Sequence, residues 1–90
     1  MNYPTYMAKR TRARQRKAKF RRLRQIREER LGWEVTDILS RLPGGKPSIA
    51  SIYRLEQGQS IRVSSTRRVF DVVNAALNNT LDPNKELEVK

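Results

Sequence analysis

Three breaks constrain this chain more than any other feature. Gly32, the run Pro43-Gly44-Gly45 and Gly58 each interrupt the apolar pattern. Glycine and proline at such points end helices. Between the breaks, apolar residues recur at helical spacing. Phe20, Leu23, Ile26 and Leu31 lie three to five apart, and Val35, Ile38, Leu39 and Leu42 share one face. Ile49, Ile52 and Leu55 then sit three apart, and Val69, Phe70, Val73, Ala76 and Leu77 form a last stripe closed by Asn78-Asn79. The pattern predicts an all-α, compact domain of four to five short helices. These are a helix of about three turns from Phe20, one from about Glu34 to Leu42, one from Pro47 or Ser48, and one from about Ser64 to Leu77. Ser48 and Ser64 are suitable N-caps, and Trp33 can pack at the entrance of the second helix. Residues 59–63 read as a loop with Arg62 exposed, a further short helix being the alternative.

With 90 residues there is room for one domain and one modest core. The charge is divided unevenly along it. Residues 1–30 hold twelve Lys or Arg against two Glu, a net +10, and residues 31–90 hold eight against seven, a net +1. Three parts follow: a basic arm over 1–19, a nearly neutral helical domain over 20–78, and a polar tail over 79–90. Residues 8–19 are adequate helix formers whose like charges repel at helical spacing. The arm is therefore expected to be frayed, becoming helical when phosphates neutralise it. Lys9, Arg10, Arg12, Arg14, Arg16, Lys17, Lys19, Arg21 and Arg22 are its candidate phosphate contacts. So dense a cationic stretch attracts a polyanion. In the tail, Glu86-Leu87-Glu88-Val89 alternates with period two, as a short strand pairing with its copy in a dimer would; an unstructured tail is the preferred reading.

The chain has no Cys and no His, which removes disulfides, the commonest zinc ligands, the commonest general base and a thiol nucleophile. Gly44-Gly45-Lys46-Pro47-Ser48 lacks the first glycine and the Lys-Ser adjacency of a phosphate-binding loop. An enzyme is not expected, and no cofactor or metal is implied. No apolar run is long enough for a membrane span, and no signal peptide is visible. A soluble, cytoplasmic, nucleoid-associated protein is expected.

The order of these elements resembles the Cro/repressor-type, or XRE-like, helix-turn-helix family over about Leu23 to Leu77. The resemblance rests on Leu23-x-x-Ile26-Arg27-Glu28-Glu29-Arg30, on Gly32-Trp33, on Asp37-Ile38-Leu39-x-x-Leu42, and above all on Ser48-Ile49-Ala50-Ser51-Ile52-Tyr53-Arg54-Leu55-Glu56-Gln57-Gly58. It implies that the third helix enters the major groove of duplex DNA with its first residues at base edges. Ile49, Ala50, Ser51 and Arg54 are then the base candidates, Arg54 as a bidentate partner of guanine and Ile49 and Ala50 against thymine methyls. For Ile49, core packing is a nearly equal alternative. Lys46, Ser48, Tyr53 and Arg62 become phosphate candidates, and Arg67 and Arg68 either touch the backbone or are solvated. The family also implies a structural ion pair between Arg27 and Glu56. Three departures are visible. The turn holding Pro43-Gly44-Gly45-Lys46 is about three residues longer than usual, Val35 stands where the family has a phosphate-contacting Gln, and one extra residue precedes Trp33.

The expected function is sequence-specific binding of double-stranded DNA by a homodimeric transcriptional regulator, a repressor or autoregulator. A toxin partner is possible in principle, since some relatives are antitoxins. The alternative is an RNA-binding or ribosome-associated protein, favoured by the arginine-rich arm and disfavoured by the scatter of the aromatic residues. A cleaved targeting arm is a third reading, weakened by the lack of Ser in the arm and of an apolar stripe before Phe20.

Overall fold

A computed structural model describes residues 16–89. Ala18 and Phe20 alternate with Lys17 and Lys19, and this segment is a strand, β1 (Lys17–Phe20), with Ala18 and Phe20 turned into the core. The period-two pattern overrides the expected continuation of the arm through residue 19 and of the first helix back to Phe20. Arg22, in the left-handed conformation, redirects the chain into α1 (Leu23–Gln25), which runs on as a wide π turn over Ile26–Leu31. Gly32 ends it at φ 64°, a conformation that favours glycine.

α2 (Val35–Arg41) follows, with Glu34 as N-cap. The Asp37 carboxylate accepts a hydrogen bond from the Glu34 N–H at 2.8 Å. A single 3-10 turn, Pro43–Gly45, leads to α3 (Ile49–Glu56), whose N-cap is Ser48. Gly58, at φ 84°, turns the chain out of α3. β2 (Ile61–Arg62) and α4 (Val63–Ala76) come next. Residues 61–62 are therefore a short strand rather than loop, and Ser64 lies in the first turn of α4 rather than at its cap.

After Asn78 and Asn79, both left-handed, the chain forms α5 (Pro83–Glu86) and β3 (Leu87–Val89). The preferred reading of an unstructured tail is corrected here. β3 pairs with β1 of the same chain, in antiparallel register that sets Lys19 against Glu88 and Phe20 against Leu87. β1 also pairs antiparallel with β2, Lys17 against Arg62 and Ala18 against Ile61. The sheet order is β2-β1-β3. Among the described residues the domain is mostly helical, with five α-helices, but the three-stranded sheet corrects the all-α expectation.

The core joins both parts. Phe20, Leu23, Ile26, Ile38, Ile52, Leu55, Val69, Phe70 and Val73 are all buried together. The rings of Phe20 and Phe70 lie 5.5 Å apart at 52°, a tilted contact of the favourable kind. Thr66, fully buried, sets its hydroxyl 3.2 Å from the Ala18 carbonyl and 3.1 Å from that of Arg62, joining α4 to two strands.

Candidate nucleic-acid interface

The position of α3 is determined from both ends. At its start the Ser48 hydroxyl accepts a hydrogen bond from the Ser51 N–H at 3.3 Å. Such a cap satisfies one of the free amides of a helix N-terminus. Ile52 and Leu55 then bury themselves completely or nearly so. At its end Glu56 meets Arg27: the guanidinium donates to both carboxylate oxygens, Nε at 2.5 Å and Nη2 at 2.9 Å. The remaining Nη1 donates to the Trp33 carbonyl at 2.7 Å. The hydrogen bond that Arg27 donates to Glu56 raises Arg27 above the ordinary arginine pKa, burial opposing it and the nearby carboxylates adding to it. Arg27 thus ties α1 to the end of α3 and to the entrance of α2. Arg41 covers the Trp33 ring there, 4.3 Å from its centroid.

With one face buried, α3 presents the other. Ala50 and Arg54 are exposed, Ser51 is half-buried, and Tyr53 keeps 48% of its surface open. Ile49 packs partly against the core, so its side chain is shared between the two surfaces. Lys46 is exposed in the turn before α3. Val35 is buried and belongs to the core.

Beside α3 lies a groove of about 310 Å³ between this helix, the N-terminal end of β1 and the start of α4. Lys17, Arg54 and Arg62 line it together with Ser51, Ser60 and Ser65, and no carboxylate does. Arg16, also exposed, is held at the same place by its carbonyl, which accepts from the Val63 N–H at 3.1 Å.

The other cations of the basic segment are differently placed. Lys19 stands opposite Glu88 in the sheet, Arg21 lies 3.7 Å from Glu88, and Arg22 makes a two-pronged contact to the buried Glu86. That contact raises the Arg22 pKa, through its hydrogen bond first and its charge second. The structure therefore separates residues that the sequence treats as one run: Lys17 opens toward α3, while Lys19, Arg21 and Arg22 face the acidic C-terminal segment. Lys9, Arg10, Arg12 and Arg14 lie outside the described residues. Arg67 and Arg68 are exposed on α4.

Sequence reasoning missed Ser60, Ser65 and Glu86. The two serines carry no pattern of their own, and Lys17 meets them only through the pairing of β1 with β2. Glu86 had a signal: the alternating Glu-Leu-Glu-Val segment offers two carboxylates to a segment with cations at Lys19 and Arg21.

Among the described residues no group of three or more acidic residues could hold a metal ion, and no helix is long and apolar enough to cross a membrane. Comparison with models of known protein families, with curated proteins and with solved structures finds no match.

Proposed function

We propose that the protein is a sequence-specific duplex-DNA-binding transcriptional regulator that inserts α3 into the major groove. The reading rests on the outward face of α3, which begins with small uncharged side chains on a helix held at both ends. Ala50 and Ser51 allow close approach to base edges, Ala50 against a thymine methyl and Ser51 as donor or acceptor. Flanking cations, Lys46 before α3 and Lys17 and Arg62 beside it, supply contacts to phosphates. Lys9, Arg10, Arg12 and Arg14, which precede Arg16 in the sequence, add further phosphate contacts. Two copies acting as a homodimer on a palindromic site fit a reader of this size. The test compares binding of the full-length protein to duplex DNA and to RNA of equal length and sequence at about 0.2 M salt, where contacts to phosphate alone weaken. Preference for DNA is expected. Preference for RNA overturns the reading in favour of an RNA-binding protein.

A further inference from the structure

The cations of β1 are matched by carboxylates on one side and by cations on the other. Toward β3, Lys19 stands opposite Glu88, and Arg21 and Arg22 engage Glu88 and Glu86. Toward β2, Lys17 stands directly opposite Arg62. Residues directly opposite in an antiparallel pair project from the same face, and like charges there repel. Arg54 brings a third positive group to the same groove from α3. Among the described residues none of these three takes part in an ion pair within 4.0 Å.

The rest of the groove suits an anion as well. Ser51, Ser60 and Ser65 line it. α4, fourteen residues long, starts at its edge with no side-chain cap and no acidic residue in its first turn, although its Val63 N–H is already taken by the Arg16 carbonyl. An uncapped helix start adds a partial positive charge and N–H donors. Unpaired cations from three separate elements, with three serines among them and the start of a helix without a side-chain cap, describe a seat for a tetrahedral oxyanion. A solvated basic face has no reason to place two cations in register.

We propose that this groove seats one phosphate group of a nucleic-acid backbone, held by Lys17, Arg54 and Arg62, and that Arg54 therefore grips the backbone instead of reading a guanine. The proposal deepens the DNA-binding reading of α3 and rests on it for the source of the phosphate. With Arg54 committed to the backbone, base reading falls to Ala50 and Ser51. The seat also fixes the register of α3 along the groove, because the phosphate it holds lies beside the helix that reads the bases.

Two measurements test it on the full-length protein. The first titrates inorganic phosphate against chloride at equal ionic strength and follows backbone amide shifts by NMR. Saturable shifts at Ser51, Ser60 and Ser65 with phosphate alone are expected, and they vanish in the Lys17→Ala, Arg62→Ala double variant. Identical shifts with chloride, or shifts that persist in the double variant, overturn the seat. The second replaces single phosphates of a bound duplex by neutral methylphosphonates. At one position per half-site, Arg54→Ala and Arg62→Ala, each about tenfold weaker on native DNA, lose less than about twofold. Losses that are equal at every position overturn the seat while leaving the DNA-binding reading intact. Phosphate binding by a protein that binds no duplex does the reverse: it upholds the oxyanion seat and refutes a nucleic-acid backbone as its source.

Discussion

Glu56→Gln removes the charge that compensates Arg27 and leaves the shape of the pair nearly unchanged. Only 10% of the Arg27 side chain and 7% of the Glu56 side chain are exposed. Removing one partner of a buried ion pair costs about 3–5 kcal/mol, because the other charge stays desolvated. The lower end applies here, since Glu28, 3.5 Å from Arg27 and half exposed, remains to compensate it in part. A loss of about 3 kcal/mol is a large share of the roughly 5–15 kcal/mol that holds a small domain together. At roughly 4–8 °C per kcal/mol for a domain of this size, Tm falls by at least about 12 °C. The assay is urea unfolding followed by circular dichroism, with Arg24→Ala as the control. Arg24 and Glu28 are 3.2 Å apart on an exposed helix face, where such a pair contributes about 0.5 kcal/mol or less. Replacing both members of the buried pair, as Arg27→Met with Glu56→Leu, recovers much of the loss, because no charge is then left unpaired. The arginine side of the pair adds no pH dependence near neutrality. Its raised pKa means its contribution is fully present below the ordinary arginine value and is lost only as pH rises through the higher folded one. A loss under about 1 kcal/mol for Glu56→Gln, the range of exposed pairs, refutes the view that this contact anchors α3.

Other perturbations separate the parts of the molecule. Ser48→Ala removes the α3 cap and lowers stability by about 1 kcal/mol in the same unfolding assay, with DNA affinity falling beyond that if the cap also fixes the helix start at the bases. Phe20→Ala empties a site shared by β1 and α4 and costs about 3–5 kcal/mol; a cost under 1 kcal/mol places β1 outside the folded core. Deleting residues 1–15 lowers the log–log salt slope of DNA binding by about 3–4, from the four cations at Lys9, Arg10, Arg12 and Arg14 at about 0.9 each. Deleting residues 1–20 instead removes the central strand and unfolds the domain, which thermal melting reads directly.

Where the helices lie was legible because breaks and stripes agree: Gly32, Pro43 and Gly58 punctuate apolar faces that fill one core. The sheet was less legible for a physical reason. Phe20 falls three before Leu23, so helical and strand periods both accommodate it. Only long-range pairing of Lys17–Phe20 with Ile61–Arg62 and Leu87–Val89 decides between them. Two- and three-residue strands carry too little pattern to announce themselves. The same cause divided the basic segment. Lys17 and Lys19 are two residues apart in sequence and alike in chemistry, yet one faces Arg62 and the other Glu88. The outward face of α3 could be read from Ser48 to Arg54, because Ile52 and Leu55 dictate which side is buried. The groove beside it could not, because Ser60, Ser65 and Lys17 meet Arg54 only once β1 is in place.

Selection of bound duplexes from a random DNA pool, with the full-length protein at about 0.2 M salt, tests the central claim most directly. An enriched consensus is predicted, with a base preference that shifts when Ser51 is replaced by Asn and persists when Arg54 is replaced by Ala. A pool that emerges without enrichment, at a salt concentration where binding still occurs, contradicts the placing of α3 in the major groove.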